Sequence, residues 1–356
     1  MTNAARKKSG AATAGAMTRP ADYTDYGSTE QSSRNPQRHQ IGEALTAVSS
    51  RVAILGVWGL AILIFSLLEP STFLQAGTFQ TIFSSQEPLV FISIALLCTF
   101  MVGEFDLSVA SLFGLSGCLM AALAVNEHLS VYAAAGIAIA ATTAAGAITA
   151  TIVVVFGVNA IVTTLGMSTA LLGVALGVTN LASISGISQR FGNVANFDLL
   201  GLPVSFYYGL LIFLVLLYVA KVTPLGQKMS FVGANRDVAN LAGIRVNRIR
   251  WCSYTVSGLI CGVGGVILAA SLGGFNPTTS QNYLLPAFSA VFLGTAAIEP
   301  GRFNSIGTFV GIYFLETGVL GLQLLGLTGW VEDVFYGAVL VVAVAITTLL
   351  RRGIKQ

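Results

Sequence analysis

Residues 131–156 run for 26 positions without one charged side chain. As an α-helix this stretch is about 39 Å long, more than enough to cross a hydrocarbon core of about 30 Å. Such a segment has no face to offer water, so it must lie deep in protein or in lipid. Composition decides between these. Of 356 residues, 54% are hydrophobic and only 9% charged, against about 25% charged in an ordinary soluble domain. Too few charges remain to clothe a soluble core of this size. The same apolar excess excludes disorder for the body of the chain. Its solvent is mostly lipid.

Residues 1–50 are polar and hold no apolar core near their start, which predicts a disordered cytoplasmic tail and not a signal peptide. From residue 52 onward, apolar segments alternate with short polar breaks. Ten spans are expected, at 52–68, 88–103, 107–125, 131–156, 160–178, 205–220, 251–272, 285–298, 305–322 and 331–350. The signal is continuous apolarity, not alternation with period two, so helices are expected and a barrel is not. The fold class is therefore an all-α, polytopic membrane helix bundle of about ten transmembrane helices. Its membrane domain covers 51–351, and a short cytoplasmic end covers 352–356.

Charge between the spans orients them. With the N-terminus inside, the inner segments 1–51, 104–106, 157–159, 221–250, 299–304 and 351–356 hold 17 of the 18 Lys and Arg residues, and only Arg190 falls outside. This asymmetry predicts both termini in the cytoplasm. Gly, Ala, Ser and Thr crowd the span interiors, most clearly between Ala133 and Thr151. In lipid, small residues let helices approach closely, so a compact bundle is expected.

Several chemistries are excluded early. A net charge of +3 without a basic stripe does not suit nucleic acid. The four cysteines lie singly in apolar stretches, and only His39 and His128 exist, so neither a metal site nor a His-based triad is expected. No phosphate-binding Gly-Lys motif is present, so the chain itself should not hydrolyse ATP. No cofactor is implied.

Three polar features interrupt the apolar pattern. The first holds Glu104, Asp106, Ser108 and Ser111 between two spans with little polar padding. Asp106 could cap the next helix, or the carboxylates could face a polar pathway at a broken helix. The second is the loop 221–250. There Asn235 can cap a short helix running to about Ala242, with Gly243 as its stop. Val238, Leu241 and Ala242 then share one face. That helix could lie on the lipid surface or dock a soluble partner. The third is 271–283, with Phe275, Asn276 and Pro277 in an outer turn that could line a mouth for a hydrogen-bonding solute. Glu316 lies mid-span and should face a helix partner or an aqueous path, and Glu299–Pro300 reads as a tight inner turn.

At these residues a family becomes visible. GEFDLSVASLFGLSG resembles the GGIDLSVGS-type motif of bacterial ABC-importer permeases for ribose and related monosaccharides. VGANRDVANLAGIRVNRIR resembles that family's coupling segment, G-x-N-x-x-A-A-x-x-S-G-I, with Gly233, Asn235, Ala239, Gly243 and Ile244 on its recurring positions. Pro277, Thr278, Val291, Leu293, Gly294, Gly307, Thr308 and Gly311 match further on, and Leu320, Gly321, Leu324 and Gly326 continue the match. Two departures stand out: Glu104 where the family usually has Gly, and Ala110 in place of another Gly.

The resemblance implies a multi-pass permease of the bacterial inner membrane that passes a monosaccharide or similar small polar solute by alternating access. It implies as partners an ABC ATPase, a second permease subunit, identical or homologous, and a periplasmic or lipid-anchored solute-binding protein. It places ATPase coupling at a helix over about 235–243, on Gly233, Asn235, Asp237, Val238, Ala239, Leu241, Ala242 and Gly243. It places the translocation path at Glu104, Asp106, Ser108, Ser111, Phe275, Asn276 and Glu316. The rival on the residues alone is an ion-coupled secondary transporter using Glu104, Asp106 or Glu316. An intramembrane enzyme lacks a nucleophile–base set, and a purely structural subunit leaves the polar features without a purpose.

Overall fold

The computed structural model describes residues 54–298, 301–327 and 329–353. The expected tail at 1–50, the turn at Glu299–Pro300 and the end at 354–356 lie outside them. The chain order is α1 (Ile54–Leu68), α2 (Pro70–Phe73), α3 (Ala76–Ser84), α4 (Glu87–Phe100), α5 (Val109–Ala121), α6 (Val131–Ala150), α7 (Ala160–Val178), α8 (Gln189–Asn196) and α9 (Val204–Val222). It continues with α10 (Pro224–Ala234), α11 (Arg236–Leu241), α12 (Val246–Leu272), α13 (Leu284–Ala297), α14 (Ser305–Leu324) and α15 (Trp330–Gly353). Among the described residues, eight helical stretches are long and apolar enough to cross a membrane. They are α3 with α4, α5 and α6 each with a π-helical extension, α7, α9, α12, α14 and α15. The apolar helices α1 and α13 are shorter. The fold is thus an all-α polytopic bundle.

Each expected span falls on an apolar helix, but two starts move and one loop gains a helix. The span expected at 88–103 begins at Ala76, and its chain kinks at 85–86. Pro88 sits in the first turn of α4, where its missing N–H costs nothing. The span expected at 251–272 begins at Val246, so Arg248 and Arg250 are helical. The loop 221–250 carries α10 besides the expected short helix. Thr223 caps α10 and Pro224 opens it.

The bundle has a core and a rim. Every residue of α4 is buried. α12 packs against α4, α5 and α6. Glycines make the α6–α12 contact possible: a methyl on Gly146 would lie 2.6 Å from the Tyr254 carbonyl oxygen, and one on Gly258 would lie 2.5 Å from that of Thr142. By contrast α7, α9 and α15 turn Val162, Leu211 and Val341 outward. An apolar rim of this kind needs lipid around it.

The segment after α12 is not a simple loop. Gly274–Phe275 pairs antiparallel with Ile184–Ser185, and a 3₁₀ turn follows at Thr279–Tyr283. Phe275 packs on Gly117, Ser280 on Gly114, and Gln281 Nε2 donates to Ser111 Oγ at 3.1 Å. From 117 to 111 is about 9 Å along α5, so the segment runs down into the bundle. α13 then starts inside the bundle, which accounts for its being short.

Candidate functional site

Two polar regions lie at different depths. The first is the break between α4 and α5. Gly103 adopts φ +76, a left-handed conformation that suits glycine, and turns the chain away from α4. Glu104 and Asp106 follow, 2% and 1% exposed. Arg236 Nη2 donates to Glu104 Oε1 at 2.7 Å and to the Gly103 carbonyl at 2.8 Å. Arg250 Nε donates to the same Oε1. Tyr254 Oη donates to Oε2 at 3.2 Å. A carboxylate with two guanidinium partners is fully compensated.

Of the two readings of Asp106, the cap of α5 is not formed: the cap position belongs to Ser108, whose side chain makes no cap bond. Asp106 stands too far upstream to reach the helix. Instead its Oδ1 accepts from Ser108 N at 2.9 Å and from Ser108 Oγ at 2.5 Å, and its Oδ2 accepts from Ser257 Oγ at 3.4 Å. It folds the turn that starts α5 and ties that turn to α12. Burial pushes its carboxyl above the usual carboxylate range, while the Ser108 and Ser257 bonds pull the other way. Against the break lies an aromatic cluster: Phe100 meets Phe105 and Phe303 at 4.9 Å, Phe288 at 5.4 Å and Phe292 at 5.6 Å.

The coupling segment folds as the cap and stop residues demand. Asn235 Oδ1 accepts from Asp237 N at 3.0 Å and Val238 N at 3.1 Å, and Gly243 ends the helix at φ +77. Gly233 packs its backbone against the Met101 carbonyl, where a side chain would clash. Val238 is 53% and Leu241 89% exposed, and Asp237 and Ala242 are exposed with them. Ala239, expected to share the docking surface, is instead fully buried. It anchors α11 to its own chain. A cleft of about 340 Å³ beside α11 is lined by Arg236, Arg245, Arg248 and Arg250, with Asp237 alone opposing them. A neighbouring cleft of about 520 Å³ opens between Met101, Gln227, Ser230, Phe231 and Asn304.

The second region lies where α3 breaks into α4, about 20 Å along α4 from the first. Glu316, half-buried on α14, accepts from Ser85 Oγ at 3.0 Å, and Gln86 Nε2 donates to Ser85 Oγ at 3.0 Å. Glu87 is 5% exposed and lies close to Ser205 of α9, and its Oε1 has no partner among the described residues. Tyr283 from the re-entrant turn lies near both carboxylates. Lower on that turn, Gln281 and Ser168 meet at Ser111, the two serines 2.8 Å apart. Phe275 is buried against α5, and Asn276 folds its own turn by accepting from Thr278 N at 2.9 Å and donating to Ser183 Oγ at 2.9 Å.

The structure therefore separates the expected path residues. Glu104, Asp106 and Ser108 cluster at the break, Ser111 and the 275–283 segment lie along α5, and Glu316 joins Glu87. Sequence reasoning missed Glu87, because it fell one residue before the expected span. The Pro after it marks a helix start within an apolar run, and that signal would have found it. Arg236, Arg250 and Tyr254 were missed as partners of Glu104 because they lie 132 to 150 positions away.

A model of the family described as "Branched-chain amino acid transport system / permease component" matches residues 79–344. The probable ABC transporter permease protein YphD of Escherichia coli is 33% identical over 196 residues, 55% of this chain and 59% of that one. The ribose import permease protein RbsC of Escherichia coli is 29% identical over 289 residues, 80% and 89% of the two chains. The L-arabinose ABC transporter permease protein AraH of Azospirillum brasilense is 27% identical over 295 residues, 83% and 86%. No solved structure matches the chain.

Proposed function

Because the chain belongs to this permease family, multi-pass inner-membrane subunits of bacterial ABC importers whose ATPase is a separate subunit, we propose that it forms the path for a monosaccharide or similar small polar solute. The relatives are named for ribose and L-arabinose, which favours a sugar over the amino acids of the family description. Ten membrane crossings with both termini in the cytoplasm fit the charge split and the ten apolar helices, α1 and α13 included. A second permease, identical or homologous, completes the path.

One observation carries the reading. Hydroxyl, amide and carboxylate groups line a broken helix and the turn after α12 within the bundle: Glu87, Glu316, Ser85, Ser205, Gln281 and Ser111. Polar groups at such breaks are the usual means of passing a polar solute through a helical membrane protein. The set is rich in acceptors, which suits a solute that offers many hydroxyl donors.

At the cytoplasmic end, α11 presents Val238, Leu241 and Ala242 to a soluble partner, beside a cleft whose Arg245 and Arg248 suit an acidic rim. ATP-driven closure of the ATPases would move α11 and reorient the path from outside to inside. The test is uptake of radiolabelled ribose and L-arabinose into cells that carry the permease with its neighbouring ATPase and binding protein. Uptake that needs the ATPase and survives collapse of the proton gradient supports the reading. Uptake that needs the gradient and not the ATPase would return it to an ion-coupled carrier.

A further inference from the structure

We infer that Glu104 and Arg236 form a strut through which α11 can pull, as well as push, on the break between α4 and α5. The inference rests on the proposed docking of an ATPase at α11. Two kinds of contact join the α10–α11 segment to the break. The Gly233 backbone, at the end of α10, lies against the Met101 carbonyl. Such a steric contact resists approach but cannot transmit withdrawal. The Arg236 bonds to Glu104 and to the Gly103 carbonyl resist separation. They make the direct link between α11 and the break work in both directions.

The geometry says what a pull would move. Glu104 is also held by Arg250 and Tyr254, both on α12, so one carboxylate joins α11, the break and the centre of the bundle. Asp106, two residues on, holds the first residue before α5 and reaches Ser257 on α12. Displacing Glu104 therefore carries the start of α5, and with it Ser111 and the polar groups that meet there.

A merely structural role would ask for less. Arg250, whose side chain is 13% exposed, already compensates the buried carboxylate. Arg236 is 42% exposed, free to reach water, and yet turns back to bond Glu104 and Gly103 together. Glu104 replaces the Gly of the resembling motif, and Arg236 falls on an open position of the coupling motif. Arg236 and Glu104 are thus positioning residues for the coupling step.

The test uses the permease co-purified with its ATPase, in a Cys252→Ser background, since Cys98, Cys118 and Cys261 are buried. A thiol is placed by Phe105→Cys, at a position 40% exposed, and its maleimide labelling rate is measured with and without ATP plus vanadate. The rate should change on trapping. Arg236→Ala should keep the ATPase but shrink that change roughly 2- to 30-fold. Glu104→Gln should do the same, with the double variant no worse than either single. Should Glu104→Gln fail to insert, Arg236→Ala decides alone, because it leaves Glu104 paired with Arg250. An unchanged response in Arg236→Ala, additive losses in the double variant, or no response at position 105 without either change overturns the strut. Loss of the ATPase by Arg236→Ala would make that residue a docking contact and overturn it too. A permease that recovers no ATPase at all, before any change at 104 or 236, overturns the docking reading first and the strut with it.

Discussion

The chain buries carboxylates at two depths and treats them in opposite ways. At the α4–α5 break, Glu104 meets two arginines and a tyrosine, and Asp106 meets two serines. At the α3–α4 break, Glu87 and Glu316 meet hydroxyls and amides, and Glu87 keeps one oxygen without a partner. A buried ion pair is costly to break and cheap to leave alone. A buried acceptor without a full set of donors is unfinished, and a solute that brings donors finishes it. On the proposed function, the first region belongs to the machinery that holds and moves the helices, and the second to what passes between them.

The largest expected effect follows from removing the compensated charge. Glu104→Ala leaves Arg250 inside the bundle without its partner and should destabilise the permease by about 3–5 kcal/mol. Glu87→Gln keeps the size of the side chain and strands no charged partner, and should cost no more than about 1 kcal/mol. Thermal unfolding of both variants in one detergent checks this. Equal losses would erase the contrast between the two breaks.

Transport sharpens the contrast in the other direction. Glu87→Gln and Glu316→Gln should insert normally yet lower the rate of solute uptake by on the order of tenfold, as expected when a binding acceptor is weakened by about 1.4 kcal/mol. Uptake is measured at matched membrane expression. A wild-type rate in both would remove the α3–α4 break from the path.

Much of this architecture is legible in the sequence, and the gaps have physical causes. Apolar runs mark the helices because lipid demands them. Asn235 and Gly243 mark the ends of α11 because a cap and a left-handed stop are local requirements. The pairing of Glu104 with Arg236 is not local, and no spacing announces it. Ala239 shows a subtler limit. In a helix of six residues the buried face is set by what the ends are tied to, not by a repeating stripe, so Ala239 reads as part of the exposed surface and is in fact its anchor. The re-entrant turn at 275–283 reads as an outer loop because its Gly, Asn and Pro are turn residues at any depth.

A smaller effect on folding, and a specific one, separates the two faces of α11. Ala239→Glu should lower membrane expression, since it places a charge where there is no room. Leu241→Glu should leave expression and thermal stability within about 0.5 kcal/mol of wild type, as for other exposed positions. Comparable loss of expression in both would mean that α11 has no free face.

Orientation gives the smallest perturbation. Ser188 and Ser230 are both exposed, and single cysteines there, in the Cys252→Ser background, should label from opposite sides. A membrane-impermeant maleimide applied from the periplasm should reach position 188 and not 230. Labelling at 230 would invert the bundle and exchange the roles of its two breaks.

The decisive measurement is recovery of the ATPase on affinity-purified permease, wild type against Leu241→Glu, at matched membrane expression. The wild type should bring the ATPase down, and Leu241→Glu, folded and inserted, should bring down about tenfold less or none, the loss of about 1.4 kcal/mol or more at the centre of a contact. Equal recovery by the two would contradict this expectation, since the exposed face of α11 would then not be the place where ATP-driven movement enters the bundle.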